Sequence, residues 1–162
     1  MKLDDCINLD DLRKVAKQRV PKLIYDFIEG GSEDESGLAR NEDAFRNRAL
    51  VPRYMVDISS INQDTELFGR TYSSAYGIAP TGGISNYRHK GDLMLARAAR
   101  DANIPFIMSG AATARMEDMA REAPDHGWYQ LYTAKDRAIA DDQVKRAADL
   151  GIPTLVITVD VP

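Results

Sequence analysis

Four apolar runs in the second half of the chain each close on polar groups. AYGIA is followed by Pro80-Thr81-Gly82 and IPFIM by Ser109-Gly110; WYQLY carries Gln130 and Tyr132, and TLVITV carries Thr158 and leads to Asp160. Gln130 offers both an acceptor and donors, and the Ser109 and Thr158 hydroxyls can each donate or accept. Gly82 has no Cβ, so a flat ring can lie against its backbone. Such a set matches the edge of a heterocycle that alternates C=O and N–H: a flavin, a nucleobase or a pterin. One serine, threonine or glutamine at a strand end most often satisfies nearby backbone. Four such ends together make binding the better reading.

Asp160 lies two residues beyond Thr158, and Tyr132 two beyond Gln130, so on strands each pair points the same way. A carboxylate at a catalytic strand end can orient a histidine and stabilise its cation. It can also ligate a metal or cap a helix. The chain has two histidines, His89 in NYRHKGD and His126 in APDHGW. Both sit in polar connections and read as surface side chains. The base that would make sense of Asp160 is therefore not among them. No His, Asp or Glu pair on these strand ends has ligand spacing, so no metal site is expected.

The elements that must carry these groups follow from periodicity. From residue 75 onward, runs of about six apolar residues alternate with amphipathic helical stretches of about ten to fifteen. Those stretches are DLMLARAARDA, ARMEDMAREA and DRAIADDQVKRAADL. The strand markers Tyr76, Pro105, Trp128 and Thr154 lie 23 to 29 residues apart. This is the rhythm of βαβ units on a parallel sheet. An open doubly wound sheet and the first half of a (β/α)₈ barrel both fit. Four polar strand ends favour the barrel, which gathers its chemistry on that face. No GxGxxG or GxxxxGK[ST] phosphate cradle occurs.

Residues 8–50 read as helical. Asn8 or Asp10 can cap DLRKVAKQ, Pro21 suits the first turn of PKLIYDFIEG, and Gly30-Gly31 ends it. EDESGLARNEDAFRN gives a third helix, and residues 51–72 a connection with a small hairpin. The expected division is 1–74, helices and hairpin, and 75–162, half-barrel. The 162 residues suffice for one ordinary core, and their formal charge of −4 gives no footprint for nucleic acid. No apolar run is long enough to span a bilayer, and MKLDDCINLDDL lacks a signal-peptide core. Cys6 is the sole cysteine, which excludes an internal disulfide and suits a reducing cytoplasmic compartment.

The segments VPKLIYDFIEGGSEDE, NEDAFR, IAPTGG, GDLMLARAARDANIPFIMS, WYQLYTAKDR and TLVITVDVP occur in one order along nearly the whole chain. Together they resemble the N-terminal half of the FMN-dependent α-hydroxy-acid oxidases and dehydrogenases, a family that includes glycolate oxidase, L-lactate dehydrogenase and mandelate dehydrogenase. The resemblance implies a (β/α)₈ barrel preceded by N-terminal helices, with the first four βα strands present here. It also implies FMN as cofactor and oxidation of a small L-2-hydroxy acid to the 2-oxo acid. Position by position, Pro80, Thr81 and Gly82 resemble the segment that runs along the flavin. Ser109, Gln130 and Thr158 are similar to its polar contacts, Tyr132 to the tyrosine facing substrate, and Asp160 to the aspartate behind a catalytic histidine.

One position departs from the family pattern. Phe27 stands where the family has a tyrosine that binds the substrate carboxylate. Tyr25 lies on another helical face and does not replace it. A missing hydrogen bond to a carboxylate weakens binding by about 1.5–3 kcal/mol, or marks an altered substrate. The resemblance further implies that the histidine, a lysine and arginines lie beyond Pro162, so the sequence reads as truncated. These residues alone are expected neither to hold FMN tightly nor to turn over. The electron acceptor can be oxygen, a quinone or a cytochrome. The whole protein is expected to be a homo-oligomer, cytoplasmic or peripheral to the inner membrane. A barrel-derived module without catalysis is the competing class, and Phe27 is the feature that favours it. A half-barrel that dimerises into a whole one is the third.

Overall fold

The structure, a computed structural model, describes residues 2–159. The chain divides into two compact units, residues 1–59 and 60–162. The first unit is helical, as its caps predict. Helix α1 spans Leu9–Arg19, and the Asn8 side chain accepts from the Asp11 amide at 2.8 Å. Helix α2 spans Lys22–Glu29, with Pro21 preceding it and Gly30 closing it. Helix α3 spans Ser36–Arg46, three residues later than the sequence pattern suggested. Glu33 and Glu35 have φ of 53° and 60°, left-handed values that a continuous helix cannot contain. The Arg13 guanidinium joins all three helices, pairing with Glu29 of α2 and with Glu42 of α3. These pairs are exposed, so they fix geometry more than they stabilise.

The second unit opens with an antiparallel hairpin, β1 (Thr65–Leu67) and β2 (Arg70–Tyr72). Phe68 and Gly69 both have positive φ, 51° and 78°, as a two-residue hairpin turn of matching twist requires. Three parallel strands follow in spatial order β3 (Phe106–Met108), β4 (Gly127–Leu131) and β5 (Leu155–Ile157). Helix α4 (Gly91–Asp101) precedes β3, α5 (Met116–Glu122) joins β3 to β4, and α6 (Arg137–Asp149) joins β4 to β5. The expected first strand, AYGIAP, contracts to one parallel bridge between Ile78 and Phe106. Pro80 has no N–H to extend the ladder, and Gly77 lies so close to Pro105 that a Cβ would sit 2.8 Å from its Cγ. Four strand positions therefore lie side by side in chain order.

Alternation sorts the side chains. Phe106, Met108, Tyr129 and Leu131 face the helices and build the core with Ala96, Ala99, Met116 and Met119. Ile107, Trp128 and Gln130 face the opposite side. There Trp128 Nε1 donates to the Tyr72 hydroxyl at 3.1 Å, which fixes the hairpin to the strands' N-terminal ends. Tyr129, on the helix side, has its phenol pKa raised by burial.

His126 corrects one expectation: it is buried, not a surface side chain. It packs edge-on to Tyr72, and its Nε2 lies 3.2 Å from Arg70 Nη2. The same Nε2 lies 3.0 Å from Asn103 Oδ1, and the guanidinium beside the ring disfavours a second positive charge on it. Burial first, and then Arg70, lowers its pKa below the ordinary 6.5. The unfolded chain then takes up a proton that the folded one refuses. Stability is full above about pH 6.5 and declines as pH falls below it. Urea midpoints at neutral and mildly acidic pH are expected to show this decline, and His126→Gln to reduce it. Midpoints equal in the two proteins across that range would contradict it.

Candidate functional site

The candidate site is the row of strand ends. Ser109 directly follows β3, Gln130 is the penultimate residue of β4, and Thr158 directly follows β5. Gln130 is 1% exposed and Ser109 4%. The Gln130 Oε1 accepts from the Gly110 N–H at 3.0 Å and from the Ser109 hydroxyl at 3.2 Å. A backbone N–H can only donate, so it fixes which end of the amide faces it. Nε2 consequently points to Thr158 and donates to its Oγ1 at 2.6 Å. Ser109 Oγ also accepts from the Ala111 N–H at 3.1 Å. One side chain thus ties three consecutive strand ends together.

Gly82 completes the row. A Cβ built there would come 3.1 Å from Ala111 Cβ and 3.9 Å from Ser109 Oγ, so only glycine leaves the floor beside Ser109 open. The next residue, Gly83, donates its N–H to the Ala111 carbonyl at 3.2 Å, while the Gly82 N–H has no hydrogen bond among the described residues. Pro80 and Thr81 precede it and are exposed. Tyr132 lies just past β4 on the Gln130 side. Its ring edge would meet a Cβ built at Gly110 at 3.2 Å, so Gly110 is what lets the ring approach. Gly110 was not among the sequence candidates. Its glycine directly after a strand end was the available signal.

The hydrogen-bond directions dictate what the row can bind. The Gln130 oxygen is consumed internally. A second amide N–H, the Thr158 hydroxyl proton and the Gly82 N–H are left as donors. Thr158 Oγ1 keeps one lone pair as an acceptor. A planar ligand edge with carbonyl oxygens flanking an N–H satisfies this set. Of the other sequence candidates, Phe27 belongs to the first unit, on α2, and is 78% exposed. Asp160 lies outside the described residues. Among the described residues there is no group of three or more metal-capable side chains and no helix long and apolar enough to cross a membrane.

The chain is similar to known proteins along nearly its whole length. The model of the FMN-dependent dehydrogenase family matches residues 16–162. (S)-Mandelate dehydrogenase of Pseudomonas putida is 42% identical over 154 residues, 95% of this chain and 39% of that protein. A 2-hydroxyacid oxidase of Dictyostelium discoideum is 38% identical over 162 residues, 99% of this chain and 42% of its own length. The crystal structure of a soluble mutant of the membrane-associated (S)-mandelate dehydrogenase of Pseudomonas putida superposes with a TM-score of 0.89. It is 42% identical and covers 97% of this chain and 45% of that one. The chain thus spans about two-fifths of the length of the curated relatives it matches. The likeness assigns the parallel strands of the second unit to the first part of a (β/α)₈ barrel.

Proposed function

This chain belongs to the FMN-dependent dehydrogenase family, and from that premise we propose that it forms part of an enzyme oxidising a small L-2-hydroxy acid to the 2-oxo acid. The observation that carries the proposal is the Ser109–Gln130–Thr158 row with Gly82 beside it. The pyrimidine edge of FMN has two carbonyls flanking an N–H, the pattern this row complements. When bound, FMN supplies a two-electron acceptor.

The chain's own groups then have separable roles. Gln130 and Thr158 hold the pyrimidine edge, and their internal bonds pre-orient them, so little is lost in ordering on binding. The Pro80-Thr81-Gly82 segment lies along the ring, with the Gly82 N–H as donor. Tyr132, next to Gly110, turns its hydroxyl toward the substrate. Asp160 supports the cationic form of a histidine, and neither His89 nor His126 takes that part. Phe27, without a hydroxyl, stands at the sequence position where the family has a carboxylate donor, so substrate binding is weaker or the substrate is altered.

The test is anaerobic mixing of the 162-residue chain with FMN and L-lactate, glycolate or (S)-mandelate. The flavin is expected to stay oxidised, because neither His89, before α4, nor His126, before β4, stands at the strand ends to act as base. Weak FMN uptake is expected, and Gln130→Leu should abolish it. Bleaching of the flavin by the chain alone, or uptake indifferent to Gln130→Leu, would contradict the assignment of roles.

A further inference from the structure

Asp92 is a carboxylate that the site described above does not use, and it is 1% exposed. It stands in the first turn of α4 and accepts from the Thr113 hydroxyl at 2.8 Å. Thr113 Oγ1 also lies 2.5 Å from Ser85 Oγ. Thr113 has one hydroxyl proton, and the carboxylate is the partner that only accepts. The proton therefore goes to Asp92, and Ser85 donates to Thr113. The result is a directed chain from Ser85 through Thr113 to Asp92.

This chain spans two loops that leave strand ends. Ser85 lies three residues after Gly82, in the 3-10 turn Ile84–Asn86. Thr113 lies four residues after Ser109. Apart from this relay, the hydrogen bond from the Gly83 N–H to the Ala111 carbonyl, at 3.2 Å, ties the same loops. The Ile84 turn is pressed onto the start of α4, where a Cβ at Gly91 would lie 2.4 Å from Ile84 Cγ2. Asp92 thus sits on a rigid element, and the two loops attach to it through hydroxyls. Negative charge in the first turn of a helix is itself favoured.

We propose that Ser85, Thr113 and Asp92 form a positioning relay that holds the Pro80–Gly83 segment, and the free Gly82 amide, beside the Gln130 row. Its consequence for the flavin rests on the FMN reading above. These three are positioning residues: they act on the cofactor through the Gly82 backbone.

The experiment is amide hydrogen exchange on the whole chain, with and without FMN, for Thr113→Val, Thr113→Ser and Ser85→Ala. In Thr113→Val the Gly83 amide is expected to exchange roughly ten- to a hundredfold faster, the loss of one hydrogen bond to a charged group. Phe106 and Tyr129 amides, in the strands, should be unchanged. Thr113→Ser should restore the wild-type rate, and Ser85→Ala should reproduce the acceleration if the valine variant does not fold. With FMN, protection of Gly82 and Gly83 is expected in the wild type and the serine variant and lost in the valine variant. Unchanged Gly83 exchange in Thr113→Val and Ser85→Ala, or failure of serine to rescue, would overturn the relay. Wild-type exchange indifferent to FMN would instead overturn the flavin reading, and with it the relay's role toward the cofactor.

Discussion

Replacing Gln130 by leucine is expected to destabilise the second unit by about 2–4 kcal/mol and to remove its affinity for FMN. The side chain fills a site that is 1% exposed, and leucine is of similar size, so packing changes little. What changes is hydrogen bonding. The Gly110 N–H loses its acceptor, the Ser109 hydroxyl loses its acceptor, and Thr158 loses its donor. The two hydroxyls can rotate toward other partners, but the backbone N–H cannot. One orphaned buried donor is worth about 1–3 kcal/mol, and the hydroxyls add the remainder. Urea denaturation at neutral pH measures the loss. Thr158→Val separates stability from binding. It removes one bond of the row, so about 1 kcal/mol of stability is expected to go while FMN uptake still falls. A Gln130→Leu chain as stable as the wild type would mean that the row is not built as described.

Phe106→Ala is expected to cost about 3–5 kcal/mol, the largest effect of any single truncation considered. Phe106 is 1% exposed and sits where the sheet meets α4 and α5. Its backbone pairs with Gly127 on one side and bridges to Ile78 on the other. Alanine leaves a cavity lined by small side chains, Ala96 and Ala99 among them, which cannot extend to fill it. Phe106→Leu keeps most of the volume and should cost roughly 1–2 kcal/mol. The urea midpoint should shift with little change in slope, because the surface exposed on unfolding is nearly the same. A midpoint within experimental scatter of the wild type would contradict the placement of Phe106 at the centre of the core.

Local rules made much of the fold legible. Asn8 before an amphipathic run, Pro21 and Gly30 around another, and the βα rhythm from residue 75 onward are short-range signals, and the corresponding elements form, save that AYGIAP contracts to a single bridge. Where tertiary contact decides, the sequence was silent. Left-handed Glu33 and Glu35 delay α3, though nothing in their type demands that conformation. His126 reads as a turn histidine, yet its surroundings come from Asn103 and Arg70, 23 and 56 residues away.

The same division holds for the site. Ser109, Gln130 and Thr158 were legible because strand ends of a parallel sheet converge and side-chain chemistry is written in residue type. The direction of the Gln130 amide was not legible, because it is set by the N–H of Gly110, and a backbone donor leaves no mark in the sequence. Nor was the Ser85–Thr113–Asp92 relay, whose members meet across 28 and 21 residues.

The central claim is that the Gly82, Ser109, Gln130 and Thr158 row receives the pyrimidine edge of FMN. A nitrogen-resolved NMR titration of the chain with FMN tests it most directly. The expected result is a saturable change at the Gly82, Ser109 and Thr158 amides and at the Gln130 side-chain NH₂, with the hairpin and α1–α3 silent. Saturating FMN that leaves those four positions unmoved, or moves only residues elsewhere, would contradict the account.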